Sequence, residues 1–368
     1  MTYAMTAALP VWQQGNSSRN HRQFLMWLKA AVMLWLVTLS SQAFASLFCL
    51  PPSLGAFNFS LPTGTYAIPR DTPVGTRITP FTRFQTNTPN VWTCSETTSV
   101  YVGPVYQSRR ASAGMTYSEA GKIYQVFNTN LAGVGLIMQA GSSIPNGVWY
   151  GQWGLESANW ESDGAFSQTF GFYNYTFGAG MAFAFVKTGP ITPGTVSLSG
   201  AIAQIGMSER PIANVSNIIP VMVTGNPVFT VLACRTPNVT VNMGTHRASE
   251  FRGPNSFTSS VNFNLALNNC PAGMNTIKYQ VDAVTPALNA TNSVVALDGS
   301  STATGVGLQL LNGSGTPFPL GSAQNFSGYN GGTGGSYTIP FRARYYQTGT
   351  AVEPGKTNSV MTFTMTYL

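Results

Sequence analysis

Charge is scarce in this sequence. Only 8% of its 368 residues are Asp, Glu, Lys or Arg, and it carries two histidines and four cysteines. Long amphipathic helical patterns are also missing. Each shortage removes a class of function. His21 lies in an N-terminal segment that reads as a leader, so His246 is the single imidazole beyond it. A two-histidine metal site is therefore excluded, and a Ser-His-Asp triad is left only through that one residue, which reads as a surface position. No Cys-x-x-Cys pair exists, which argues against zinc, and no other metal or cofactor is implied. The glycine run GGTGG at 331–335 lacks the lysine and following helix of a phosphate-binding loop and reads as a flexible loop. Setting aside Arg19, Arg22 and Lys29 leaves 15 basic residues against 11 acids, a net charge of about +4 instead of +7. That excess is too small and scattered for nucleic acid, and the close pairs Arg109/Arg110 and Arg342/Arg344 read as solvated positions. After residue 45 no apolar run is long enough to cross a bilayer.

What is present is an export signal followed by β-strand patterning. Arg22 and Lys29 precede an apolar run at 30–39, and Ala43-Phe44-Ala45 supplies the small residues a signal peptidase needs. Residues 1–45 are expected to be a signal peptide, cleaved before Ser46, with Met26 as an alternative start. In an oxidising compartment the four cysteines are expected to form two disulfides, Cys49–Cys94 and Cys234–Cys270. Each closes a loop of about 40 residues and stabilises its domain by roughly 4 kcal/mol. Two bridges and roughly 320 residues beyond the leader indicate two domains. The boundary is expected near Asn226, in the turn Gly225-Asn226-Pro227 between two apolar runs, giving domains 46–226 and 227–368.

The first domain reads as strands in GAFNFSLP, TRITPFTRF, KIYQVFNT, AFSQTFGFYNYTF, GMAFAFVKTG and GTVSLSGAIAQIGM. The second reads as FTVLAC, NVTVNMG, VNFNLALNNC, GVGLQLLN and YTIPFRARYY, with Asn312-Gly313 as a tight hairpin turn. The class is all-β, two immunoglobulin-like sandwiches. The final fourteen residues, GKTNSVMTFTMTYL, place Met361, Phe363, Met365 and Tyr367 on one face and Val360, Thr362, Thr364 and Thr366 on the other. A strand in that position needs an earlier strand or an outside partner along its edge.

This terminal stretch resembles the assembly motif of chaperone–usher pilins, with Gly355 fourteen residues from the end, alternating Met361, Phe363 and Met365, and penultimate Tyr367 before Leu368. The resemblance runs upstream through Cys234, Cys270 and the segments at 303–321 and 337–349. It implies a sandwich lacking its last strand. A periplasmic chaperone supplies that strand first, after delivery through an outer-membrane usher an adjacent subunit supplies it, and the terminal carboxylate sits near a basic cleft of the chaperone. With Cys49 so close to Ser46 no donor strand is expected, and the architecture resembles that of two-domain tip adhesins of the type 1 fimbrial kind. In those adhesins a late Gln-x-Asn contacts mannose. Gln204 stands at the Gln, but Gly206 stands at the Asn and Ser46 at a terminal Phe, so mannose is not implied.

The first domain is then expected to hold a receptor site, for a host-surface glycan or glycoprotein. Sugars present C–H patches to aromatic faces and hydroxyls to amides and carboxylates. The segment at 146–164 holds three of the seven tryptophans. Trp149, Tyr150, Gln152, Trp153, Asn159, Trp160, Glu161 and Asp163, together with Gln204, are the candidate contacts. Taken singly, Trp149 and Trp153 read as core residues under a long loop before they read as contacts. The rival readings are a tip that binds a host protein or mediates self-association, and an exported glycoside hydrolase using Glu156, Glu161 or Asp163. Acids so close in sequence do not readily flank a scissile bond, and the reading is a binding protein rather than an enzyme.

Overall fold

The computed structural model describes residues 48–50, 52, 54–86, 90–95, 100–144, 148–149, 151–162, 164, 166–169 and 174–368. The expected leader, its cleavage site, Tyr150 and Asp163 lie outside them. Among the described residues the regular structure is β-strand apart from one short 3-10 turn, Ala248–Glu250, so the fold is all-β as expected.

The first half is built on the strand Tyr175–Lys187, paired antiparallel with Val134–Ile144 from Gly178↔Ser143 to Lys187↔Val134. Its sequence is a continuous apolar run because both faces are covered. Phe177, Phe183 and Phe185 point into the main core, whereas Ala184 and Val186 join a second cluster with Tyr124, Val126 and Ile137. Facing this sheet is a second one, ordered Ser167–Thr169, Val100–Ser108, Ala203–Glu209, Ala213–Thr224 and Phe57–Ser60.

The stretch at 76–84, expected as a strand, runs beside Tyr175–Lys187 without forming a regular ladder. Ile78 and Thr82 donate their N–H groups to the carbonyls of Phe185 and Phe183, both at 2.8 Å. The return bonds, from the N–H groups of Phe185 and Phe183, go to the hydroxyls of Thr79 and Thr82. Pro80 has no N–H to give, and threonine side chains substitute for the missing rungs.

The main core of the first half ends at Phe229, and that of the second begins at Leu232. Both residues sit on the strand Val228–Leu232, which pairs in parallel with Thr65–Pro69 and so passes from one core to the other. The second half is a sandwich of two sheets. One is ordered Val261–Cys270, Gly335–Gln347, Val306–Asn312, Val294–Val295 and Ala287–Asn289. The other is Gln324–Asn325, Ile277–Ala283 and Met361–Tyr367. Disulfides join Cys49 to Cys94 and Cys234 to Cys270, spanning 45 and 36 positions.

Two local expectations change in this half. Asn312-Gly313 is not a two-residue hairpin turn. The Asn312 carboxamide accepts from the N–H groups of Ser314 and Thr316, each at 3.1 Å, and Gly315, at φ +89°, makes the left-handed step. The segment NVTVNMG at 238–244 alternates like a strand yet forms none. A strand needs a hydrogen-bonded neighbour, and here the neighbouring position is an open cleft.

Candidate functional site

Among the described residues the edge strand Met361–Tyr367 has one strand neighbour, Ile277–Ala283, in a register running from Ile277↔Tyr367 to Ala283↔Met361. In an antiparallel pair, alternate residues turn their N–H and C=O groups to the outer edge. Tyr367 is one of them, since both its N–H and its C=O bond outward to Asp71. By the same alternation, Phe363 and Met361 present their peptide groups to the open side, where no partner meets them among the described residues.

Beside this edge lies a cleft of about 620 Å³. Val239, Val241 and Met243 line it, as do Met361 and Phe363 of the edge strand. Phe263, Leu265, Leu310 and Phe341 of the larger sheet and Val281 of the smaller one join them, so core side chains of both sheets line the cleft. A smaller cleft of about 420 Å³ shares Met361 and Phe363 and continues to Met365, Tyr367 and Arg70. Burial is graded along the strand. Met365 and Tyr367 are buried, whereas Met361 and Phe363 are half-exposed. The arrangement is a sandwich with an apolar slot and an unpaired strand edge on the same side. It suits an added strand: the edge supplies hydrogen bonds and the slot takes alternate side chains.

Gly355 has a steric reason for its place. A Cβ there would lie 2.4 Å from the Ala303 nitrogen and 2.6 Å from the Thr302 hydroxyl. Without one, the chain before the edge strand lies against residues 302–304. Lys356 N–H reaches the Thr302 hydroxyl at 2.8 Å, and Asp298 N–H reaches the Asn358 carbonyl at 2.8 Å. Leu368 ends the edge strand, its carbonyl accepting from Asn275 and Thr276. His246 is less exposed than expected. Its ring packs edge-on to Tyr345 at 5.6 Å, and its Nδ1 lies 3.0 Å from Glu250.

In the first half, the aromatic segment at 146–164 is divided between sheets. Val148–Trp149 and Trp153–Gly154 pair with Val134–Ile144, whereas Glu161 bridges to Tyr106 in the facing sheet. Trp149 is half-buried, edge-on to Phe84 at 6.1 Å. Trp153 packs against the main core, edge-on to Tyr106 at 5.2 Å, and its indole N–H is buried with no acceptor among the described residues. Gln152 and Asn159 are exposed. The Glu161 carboxylate accepts from the Glu156 N–H at 2.8 Å. Burial pushes this carboxyl upward, against the lowering effect of hydrogen bonds from Ser157 and Glu156. Glu156 and Glu161 therefore share one loop and do not face each other across a slot.

Trp160 and Gln204 lie on either side of the strand Val100–Ser108. Tyr106 points into the core, so alternation along Val100–Ser108 puts Gln107 on the outer side, and Trp160 precedes the residue bridged to Tyr106. Gln107 pairs in register with Gln204, whose carboxamide donates to it at 2.5 Å. Arg109 donates to the Gln204 Oε1 at 2.9 Å. Two amides and a guanidinium thus form a row, with the half-buried Trp160 on the other side of the strand that carries Gln107. Gly206 follows on the same side of its strand, where a Cβ would sit 2.5 Å from Val215 Cγ1, so no side chain fits there. Gln107 and Arg109 were not among the candidates. They lie almost a hundred positions from Gln204, and only the register joins them.

A family model described as Fimbrial protein matches residues 232–368, the span that holds the second core. Fimbrial subunit type 1 of Salmonella typhimurium is 33% identical over 141 residues, covering 37% of this chain and 74% of the relative. Type-1 fimbrial protein, A chain, of Escherichia coli is 37% identical over 131 residues, covering 35% and 70%. The F17c-G fimbrial adhesin of Escherichia coli is 32% identical over 148 residues, covering 38% of this chain and 42% of that protein. Among solved structures, the CupB6 tip adhesin of Pseudomonas aeruginosa aligns over 87% of this chain and 94% of its own at 13% identity, TM-score 0.32. The receptor binding domain of the Klebsiella pneumoniae adhesin MrkD1P aligns over 54% and 100% at 17% identity, TM-score 0.32. The curated relatives are fimbrial subunits and adhesins, not enzymes.

Proposed function

The chain belongs to the fimbrial protein family, and from that premise we propose that it is a two-domain tip adhesin, its first domain binding a receptor and its second joining it to a pilus. Fimbrial proteins are exported and displayed on pili, where they contact neighbouring subunits. The observation that carries the proposal is the apolar cleft beside the edge strand, open at Met361 and Phe363, within the segment matched to fimbrial proteins. A strand from the adjacent subunit fills it, giving hydrogen bonds to Phe363 and Met361 and side chains to the slot. Before assembly a periplasmic chaperone covers the same edge, and an outer-membrane usher receives the pair. Met361, Phe363, Met365 and Tyr367 are the assembly residues, and Gly355 sets the approach of the strand.

The first domain, with a core of its own and outside the family match, carries the adhesive role. Its site is the row Gln107, Gln204 and Arg109 together with Trp160, hydrogen-bonding groups and an indole, which suits a glycan. Glycan-array binding of the full chain tests this, with Trp160→Ala and Gln204→Ala beside a Trp149→Ala control. Glycan binding lost in the first two variants and kept in the control supports the site. Glycan binding kept in all three moves the site elsewhere, and absence of glycan binding by the folded wild type transfers the role to a protein receptor.

A further inference from the structure

The cleft beside the edge strand is open along most of its length but closed at one end by the first half of the chain. Arg70 and Asp71, just after the strand Thr65–Pro69, occupy the outer edge of Tyr367 and Met365. Asp71 N–H donates to the Tyr367 carbonyl at 3.1 Å, and Tyr367 N–H donates to the Asp71 carboxylate at 2.8 Å. The Arg70 guanidinium donates to the Met365 carbonyl and lies over the Tyr367 ring, 4.7 Å from its centroid. These are the edge groups an incoming strand would use.

The closure is anchored from both sides. Arg70 N–H donates to the Leu232 carbonyl at 3.0 Å, and the buried Lys187 ammonium donates to the Arg70 carbonyl at 2.6 Å. The Tyr367 hydroxyl is held in turn, donating to the Cys234 carbonyl at 3.3 Å. Tyr367 and Met365 are buried under this cover, whereas Phe363 and Met361 are not.

We infer that the Arg70–Asp71 turn is an end-stop that sets the register of the partner strand. The inference rests on the proposal that the cleft accepts a strand. A strand lying along the edge pairs at Met361 and Phe363 and meets Arg70 before it reaches Tyr367. The partner's usable segment is therefore shorter than the edge strand, and its terminal residue faces a guanidinium and a carboxylate rather than an apolar slot. Register within a sheet otherwise rests on side-chain alternation alone, which a slip of two residues satisfies equally well. A fixed obstacle removes that ambiguity.

The test uses the full chain and its Arg70→Ala/Asp71→Ala variant, titrated with designed peptides of alternating valine and threonine, lengthened two residues at a time. Both changed side chains are partly exposed, and circular dichroism checks the fold. In the wild type, affinity stops rising once a peptide spans Phe363. In the variant, the next pair gives a further gain of about tenfold, the effect of one more buried apolar side chain. Equal length dependence in the two proteins overturns the end-stop and leaves strand acceptance standing. Failure of any peptide to bind either protein overturns strand acceptance and the end-stop with it. Amide exchange of the free wild type gives an independent reading: Tyr367 exchanges slowly and Phe363 fast, and equally fast exchange at both overturns the end-stop.

Discussion

Tyr175–Lys187 and Met361–Tyr367 are both strands that deliver aromatic side chains to a core, and they differ in their neighbours. The first pairs along one edge with Val134–Ile144 and along parts of the other with Trp92–Ser95 and Gln85–Thr86, with Thr82 and Thr79 bonding to it farther along, at Phe183 and Phe185. Among the described residues the second pairs with a strand on one side only, and Met361 and Phe363 on its inward face are half-exposed. Among the described residues the first strand thus finds hydrogen-bond partners along both edges, whereas the second leaves a slot and the peptide groups of Met361 and Phe363 unfilled. A strand's sequence states which face is apolar; whether its edges are filled depends on the rest of the fold.

Breaking the open strand has the largest expected effect. Phe363→Asp/Tyr367→Asp places charges in the slot and at its buried end, so the protein is expected not to co-purify with its chaperone and to be degraded in the periplasm. Immunoblotting of periplasmic extracts checks this, and normal accumulation would count against the open-edge account. Next comes the closed strand. Phe185 is fully buried in the first core, and Phe185→Ala is expected to destabilise that half by about 3–5 kcal/mol, read by denaturant unfolding. Phe363 is half-exposed, and Phe363→Ala should cost far less in the free protein. Equal losses would erase the distinction between the strands.

Smaller effects sharpen the picture of the first half. Trp160→Ala and Gln204→Ala are each expected to weaken receptor binding by about tenfold, or 1.4 kcal/mol, with an unchanged melting temperature. The smallest effect concerns Glu161. Burial raises its folded value above the unfolded one, so the folded state holds the proton more tightly. Stability relative to Glu161→Gln should therefore rise as pH falls through that raised value toward the ordinary carboxylate range. The expected gain is below about 1 kcal/mol, and melting curves at a series of pH values would show it.

The all-β class and the alternation of the edge strand were legible in the sequence, because period two and cysteine spacing are written in covalent order. The motif glycine at 355 was legible as well, although its reason, contact with Thr302 and Ala303, was not. What escaped the sequence depends on pairing across long separations. Alternation at 238–244 looked like a strand because pattern alone does not say whether a neighbour exists. The stretch at 76–84 looked like one because threonine hydroxyls can replace rungs that Pro80 interrupts. Trp149, Trp153 and Trp160 looked like one aromatic patch, yet the chain between them crosses from one sheet to the other. The row at Gln107, Arg109 and Gln204 had no local signal, since it exists only through the register of two strands.

The most direct test of the open-edge account is amide hydrogen exchange at Met361 and Phe363, compared between the free full chain and the same chain in assembled pili. The account predicts fast exchange in the free chain and strong protection in the pilus. Protection already present in the free chain, or fast exchange persisting in the pilus, would contradict it.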